Sequence, residues 1–406
     1  MRVLLVGAGG REHALAWKLS ESTMLGELHA APGNPGIARL AECHPTAAED
    51  VAGVVRLARH LSADLVVVGP EAPLVTGLAN ALRKAGIPVF GPNRDAARVE
   101  GSKRFAKDVM REAGVATAET LPVPRPPCVV KVDGLAAGKG VFVCRDDEEL
   151  DGALARAAEL DGTLLVEELL DGEELSLFAL TDGCDAVALP PARDFKPVGD
   201  GDTGPNTGGM GSYSPVPAIG AEEVEELVDA IHLPTLRELE RRGLPFSGLL
   251  YAGVMLTQEG PRVLEFNCRF GDPETQSIVP RLEGDLLEAL AGCAMGGLAG
   301  VELALSGRAA VTVVLAAGRY PAGRDTGTPI EGVVEAEELG VLVFHAGTAV
   351  RDGALVTNGG RILNVTALAD TLADARALAY EAAGRISFAG ARLRRDIAAG
   401  VDAVRA

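Results

Sequence analysis

Short apolar runs alternate with helical patterns through the first hundred residues, and nothing else in the chain restricts its fold as tightly. VLLV at 3–6 precedes a helical pattern over about 11–20, LVVV at 65–68 follows another over 50–60, and a third leads into Val89 and Phe90. That rhythm predicts a parallel sheet with helices on its faces. Turn signals follow the strands: GAGG (7–10), APGNPG (31–36), GPEAP (69–73) and GPN (91–93). In open α/β sheets this carboxyl edge is where ligands bind.

From about residue 104 the texture changes. A helix to about 113 leads through LPVPRPP (121–127) to short strands separated by glycines, and 128–187 is expected to form a small module. GDGDTGPNTGGMGSYSPVP (199–217) is too long and polar for a simple turn, and between two periodic stretches it reads as a functional loop. A helix over about 222–242 precedes two strands, LLYAGVML (249–256) and RVLEFN (262–267), joined by a TQEGP turn. The last hundred residues open with AVTVVLAAG (310–318), cross a Gly-rich β region and close with an Ala-rich helix over about 370–385.

Composition narrows the function. At 406 residues, 47% hydrophobic and 23% charged, the chain can fill several ordinary cores. No apolar run approaches the ~20 residues that span a bilayer and the start shows no signal-peptide pattern, so a cytoplasmic location without membrane contact is expected. A net charge of −19 argues against nucleic acid as a partner and requires that any phosphorylated ligand be held by local donors. The six cysteines are scattered, with no CxxC pair and no Cys/His cluster at metal-ligand spacing. They are expected as reduced thiols, and no zinc site is expected.

Four constellations carry chemistry. GAGGREHA (7–14) follows a strand as a dinucleotide fingerprint would, but Glu12 stands where that fingerprint needs a small residue, and Ala31, Pro32 and Gly33 stand where it needs an acid. What remains is either a helix N-terminus whose free amides hold one phosphate or a plain tight turn. VVKVDGLAAGKGVFV (129–143) puts Lys131 in a strand and Lys139 after Gly134 and Gly138, but Gly140 and the strand behind it deny the Ser/Thr and helix of a P-loop. A hairpin whose tip closes over nucleotide phosphates fits, with a plain glycine hairpin as the alternative.

LLVEELLDGEELSLF (164–178) places Glu167 and Glu168 at a strand end, followed by Leu170 and Glu174. A backbone edge there can read adenine and a carboxylate can accept both ribose hydroxyls; the alternative is a solvated acidic turn. In LEFNCRFGDPETQ (264–276), strand period sets Glu265 and Asn267 on one face and Phe266 on the other. Hard oxygen ligands beside phosphates describe Mg²⁺. Arg269, if the strand continued, would face the same space and hold an oxyanion; a structural ion-pair cluster is the competing reading.

Taken in order, GAGGREHA, GNPG, GPEAPL, GSKRFAK (101–107), the lysine hairpin, GDGDTGPNTGGMGSYSP, RFGDPETQ, GGRILNVTA (359–367) and RRDI (394–397) resemble the ATP-grasp ligases over essentially the whole chain. Among these the chain resembles the phosphoribosylamine-glycine ligase, or glycinamide ribonucleotide synthetase, family. The resemblance implies an α/β and α+β multidomain fold: an N-terminal parallel α/β domain at 1–103, an ATP-grasp core at 104–308 with a mobile hairpin module at about 121–187, and a C-terminal α+β domain at 309–406. It also implies that a monomer joins glycine to 5-phosphoribosylamine with ATP and Mg²⁺ or Mn²⁺, through glycyl phosphate, in purine biosynthesis.

Site residues follow from the same resemblance. Lys103, Lys131 and Lys139 would meet the ATP phosphates, Glu167 and the backbone at Leu170 the adenine, and Glu174 the ribose. Glu265 and Asn267 take the metal positions, with Arg269, Lys139 and Asp272 as catalytic groups. Gly9, Gly10, Asn34, Asp202, Asn206, Thr207, Gly208, Gly209, Met210, Gly211 and Glu274 would hold the substrates. The chain differs from the family in two places. Phe195 and Pro197 flank Lys196 where an Asp-His-Lys-Arg run is usual, and 250–255 offers no further acid for a second metal. Three rivals remain. A nicotinamide dehydrogenase would bind NAD(H), a non-catalytic nucleotide sensor would form no product, and another ATP-grasp ligase would use a different acid or amine.

Overall fold

The computed structural model describes residues 1–135, 140–160 and 162–401. Its N-terminal sheet is fully parallel, in the spatial order Glu42–Cys43, Glu27–Pro32, Arg2–Gly7, Leu65–Val68, Val89–Phe90. Helices Gly10–Leu19, Val51–His60 and Leu78–Lys84 connect the strands. Leu4, Leu5, Val66 and Val67 are fully buried, which explains the unbroken apolar runs: a sheet covered on both faces has no polar side to alternate with. The strand order reverses between Arg2–Gly7 and Leu65–Val68, so the crevice expected of such folds lies beyond Gly7 and Gly69.

A nine-stranded sheet forms the centre. Gly260–Asn267, Gly248–Thr257, Glu173–Thr181, Ala186–Asp194, Gly211–Ser214, Ala309–Ala317, Arg361–Ala369 and Leu342–His345 pair antiparallel in that order, and Ala391–Arg392 pairs with Ala309–Ala317. This sheet runs unbroken across the chain position 308/309, so the core and C-terminal segments share hydrogen bonds as well as an apolar core.

Val141–Cys144, Cys128–Val132 and Leu164–Glu168 form a separate three-stranded sheet under the helix Asp147–Ala157, around Cys128, Val130, Leu150, Ala153 and Val166. This core ends at Glu168, short of the module expected over 121–187. Glu173–Thr181 has both edges paired within the large sheet and belongs there.

Two further expectations are corrected. The run 199–217 is largely regular: Pro197–Gly199 pairs with Thr203–Asn206, and Gly211–Ser214 is a buried central strand. The helix over 222–242 divides into Ala221–Leu227, a π-helical turn Val228–His232 and Leu233–Arg241. Pro234 lacks the amide that would bond to the carbonyl one turn back and its ring crowds that carbonyl, so the helix widens just before it. Among the described residues no helix is long and apolar enough to cross a membrane.

Candidate active site

A cavity of about 970 Å³ opens where the N-terminal sheet, the three-stranded module and the large sheet meet. Its walls include Gly9, Asn34, Lys103, Lys131, Glu167, Leu170, Glu174, Asn206, Thr207, Gly208, Glu265, Asn267, Arg269, Asp272 and Glu274. These expected site residues, spread over 266 positions from Gly9 to Glu274, are thus brought together. Lys139 and Gly138 lie outside the described residues.

The lysine wall is built by strand register. Val129 faces Glu167 and Lys131 faces Leu165, so Lys131 and Glu167 share a face as diagonal neighbours. The Lys131 ammonium lies 2.6 Å from one Glu167 oxygen and donates to the Leu264 carbonyl at 2.9 Å, while Lys107 lies 2.7 Å from the other oxygen. Glu167 is only 2% exposed. Its carboxylate, expected at adenine, is instead held between two ammoniums, and Lys107 was missed. Lys103 begins the helix Lys103–Ala113, capped by Ser102, and its ammonium donates to the Gly134 carbonyl at 3.0 Å. Burial lowers the pKa of Lys103 despite the nearby Glu265.

Glu265 and Asn267 reach the cavity through a β-bulge. Glu265 pairs with Gly253 but Val263 with Val254, leaving Leu264 as the extra residue. The bulge lets Val263 and Phe266 enter one apolar core although they are three apart. Among the described residues the Glu265 side chain makes no hydrogen bond or ion pair. Asn267 Oδ1 accepts from Arg269 at 3.1 Å.

Arg269 itself does not continue the alternation, because the strand stops at Asn267. Its guanidinium lies 3.0 Å from Glu100 and 3.2 Å from Glu71, a clamp between the N-terminal domain and the large sheet. Burial raises the Glu100 pKa even against Arg269. At Glu71 burial pushes the same way, but Arg269 and Arg11 prevail and hold the carboxyl at about 2.

Two groups in the wall had no clear signal. Lys196 lies 2.8 Å from Glu174 and 2.9 Å from Asp194. Burial pulls the Lys196 pKa down, yet these two carboxylates raise it, while burial pushes Asp194 up to about 7. Arg361, directly after Gly359 and Gly360, lies 2.9 Å from the Asp272 carboxylate and donates to the carbonyls of Asp272, at 2.6 Å, and Gly208. It ties the C-terminal strand to both loops expected at the substrate. Glu274 accepts from Tyr251 at 2.8 Å.

Several expected substrate contacts are not brought to the wall: Gly10, Asp202, Gly209, Met210 and Gly211. A Cβ on Gly10 would lie 2.2 Å from Asn364 Nδ2, and one on Gly209 2.3 Å from Pro273 Cδ, so both glycines serve close packing. Asp202 pairs with Arg394 at 2.8 Å, Met210 is fully buried beside Val198 and Ala316, and Gly211 opens a central strand. Nor are the loop amides free. Those of Thr207, Gly208, Gly209 and Met210 donate to Lys196 O, the Tyr320 hydroxyl, Thr207 Oγ1 and Phe195 O at 2.8–3.0 Å.

The helix N-terminus at Gly9 is likewise occupied. Glu12 Oε2 accepts from the Gly9 amide at 2.6 Å, and added Cβ atoms on Gly7 and Gly69 would meet the same side chain at 2.5 and 2.2 Å. A phosphate there would face a carboxylate. Asn34 is fully used: its Oδ1 accepts from the Gly36 and Ile37 amides, and its Nδ2 donates to the Ala8 carbonyl at 2.9 Å and the His345 carbonyl at 2.8 Å.

The donor set suits a hard divalent cation: Glu265 offers a carboxylate with no partner among the described residues, and Asn267 an amide oxygen once Arg269 releases it.

Comparisons agree with this architecture. Sequence models of the phosphoribosylglycinamide synthetase N, ATP-grasp (A) and C domains match residues 1–100, 101–275 and 310–400. A phosphoribosylamine-glycine ligase of Streptomyces coelicolor is 52% identical over 98% of this chain and 99% of its own, and one of Agrobacterium fabrum 48% identical over 98% of both. The crystal structure of phosphoribosylamine-glycine ligase from Thermotoga maritima, 37% identical, superposes with a TM-score of 0.81 over 98% of this chain and all of its own. The biotin carboxylase domain of a Hydrogenobacter thermophilus carboxylase, 16% identical with a TM-score of 0.71 over 97% of this chain and 91% of its own, shares the fold. With three matched domains in order around one cavity, the chain belongs to the phosphoribosylglycinamide synthetase family.

Proposed function

We propose that the protein ligates glycine to 5-phosphoribosylamine in purine biosynthesis, consuming ATP and releasing ADP and phosphate, and that the reaction passes through glycyl phosphate. One observation carries the reading: a lysine wall, a carboxylate at Glu265 that has no partner among the described residues and an arginine-bearing wall face one cavity. Glycine's carboxylate resists attack by an amine because its oxygen is a poor leaving group. Phosphorylation converts that oxygen into part of a good one, and the amine then displaces phosphate.

The side chains divide the work. Lys103, Lys107 and Lys131 line the wall that would face the ATP phosphates, with Glu265 also close to Lys103. Glu167 fixes two of these ammoniums in place; Lys139 belongs with them by sequence. The backbone at Leu170 takes adenine and Glu174 the ribose. Glu265 and Asn267 would hold Mg²⁺ or Mn²⁺, which supplies charge neutralisation at the phosphates when bound. Arg269 and Arg361 flank the place of the acid substrate, with Asp272 orienting Arg361. Phosphoribosylamine would lie between Thr207, Gly208 and the C-terminal wall, its phosphate turned away from the Glu12 carboxylate at Gly9 and toward Arg324, which has no ion-pair partner among the described residues. The work is done in the cytoplasm by a monomer on small molecules alone.

The test is ADP release with glycine and ATP, the unstable amine being generated in the assay. Release should require phosphoribosylamine, and other amino acids should not replace glycine. Equal release without the amine, or AMP and pyrophosphate as products, would overturn the assignment.

A further inference from the structure

Two Glu-x-His triplets, Glu27-Leu28-His29 and Glu42-Cys43-His44, start on neighbouring parallel strands at the edge of the N-terminal sheet, His44 following the end of its strand with its amide bonded to the Ala30 carbonyl. Register pairs His29 with Glu42, and the period of two sets Glu27, His29, Glu42 and His44 on one face. His29 Nδ1 lies 3.1 Å from His44 Nε2 and 3.7 Å from Glu42 Oε2, and all three ligand atoms fall within 4.8 Å of one another. Two imidazole nitrogens on one tetrahedral zinc, at about 2.0–2.1 Å each, stand roughly 3.3 Å apart. The observed spacing needs almost no adjustment.

The other side of His29 strengthens the case. Its Nε2 faces Glu27 Oε2 at 3.3 Å, and that carboxylate is itself gripped by Arg2 at 2.6 and 3.1 Å. A carboxylate accepting from one ring nitrogen directs the unprotonated nitrogen toward the other partners, as behind metal-bound histidines. His29 is 6% exposed while Glu42 is open to solvent, which gives a buried anchor with access for an ion. Without metal, a proton on His44 Nε2 bonds to His29 Nδ1; moving it to His44 Nδ1 frees both nitrogens without net proton release.

We propose that His29, His44 and Glu42 bind one Zn²⁺-class divalent ion, with solvent as the fourth ligand. Nitrogen donors favour zinc, cobalt or nickel over the Mg²⁺ that accompanies ATP. The ion ties the two-residue edge strand Glu42–Cys43 to Glu27–Pro32, whose far end at Pro32 lies on the cavity wall. The absence of Cys/His ligand spacing in the sequence did not foresee this, because two strands bring together residues thirteen to fifteen positions apart.

The test uses the full chain, stripped with chelator and free of ATP and Mg²⁺, with Co²⁺ and Zn²⁺ as probes. Wild type should take up one equivalent of Co²⁺ with the visible absorption of a four-coordinate ion, lose it to Zn²⁺, and melt at higher temperature with Zn²⁺ present. His44→Gln should abolish this equivalent and the melting shift, and Glu42→Gln should weaken binding at least tenfold. Both variants alter side chains that are not part of the core, so their folding without metal should match wild type. Identical isotherms for wild type and His44→Gln, or no Co²⁺ absorption in wild type, would overturn the proposal.

Discussion

Replacing Glu265 by Gln should separate activity from stability. The side chain is half-buried in the cavity wall and makes no hydrogen bond or ion pair among the described residues, so its charge acts on folding only through the longer-range attraction of Lys103 and Lys196. The change should shift unfolding by under about 0.5 kcal/mol, in either direction. Turnover should behave differently. Losing a charged metal ligand removes several kcal/mol of transition-state stabilisation. At about 1.4 kcal/mol per decade, a loss of 3–4 kcal/mol is roughly 10²–10³ in kcat. Glu168→Gln is the control. That carboxylate accepts from the Glu119 amide at 2.8 Å and lies 3.6 Å from Arg262, so its loss should cost about 1 kcal/mol of stability and leave kcat within about threefold. The assay is ADP release across a Mg²⁺ titration, paired with thermal melts. Equal turnover in the two variants, or a large stability loss in Glu265→Gln without loss of turnover, would refute the reasoning.

Other outcomes follow from the same geometry. Amides of Val130–Val132 and 141–143 should gain hydrogen-exchange protection with ATP, since phosphates supply partners on the lysine wall; unchanged protection would mark a static hairpin. Arg361→Lys should lower kcat about tenfold or more while leaving the ATP KM unchanged, because one ammonium cannot hold Asp272 and the Gly208 carbonyl together. Acid should destabilise the fold through three histidines: burial holds His13 at about 3 and His232 and His345 at about 4, below the usual 6.5. The unfolded chain therefore binds more protons between pH 6.5 and 4, so stability is full above that window and falls as pH drops through it. Near pH 5 the slope from these three groups approaches about 4 kcal/mol per pH unit. Melting temperatures at pH 7, 6 and 5 would check this, and no fall between 6 and 5 would contradict it.

The sequence was most legible where periodicity and burial coincide. VLLV and LVVV read as parallel strands because both sheet faces are covered, and Glu265 and Asn267 read as cavity groups because strand period survives between them. It was least legible where one side chain satisfies another far along the chain. Arg361 reaches Asp272 across 89 positions, and the Gly208 amide is spent on the Tyr320 hydroxyl and those of Thr207 and Met210 on the Lys196 and Phe195 carbonyls. None of these carries a local pattern. The bulge at Leu264 is of the same kind: only the partner strand reveals that Val263 and Phe266 share a core.

Chemical activation of glycine can be followed atom by atom. When a glycine carboxylate oxygen attacks the γ-phosphorus, that oxygen becomes the bridge in glycyl phosphate. When the amine of phosphoribosylamine displaces phosphate, carbon–oxygen cleavage sends the bridging oxygen away with phosphorus. Glycine carrying oxygen-18 at both carboxylate positions should therefore deliver one label to inorganic phosphate and keep the other in the glycinamide carbonyl. Mass spectrometry of the phosphate reads this directly. Phosphate released without label, alongside normal product formation, would contradict an acyl-phosphate route and the placement of both substrates in one cavity.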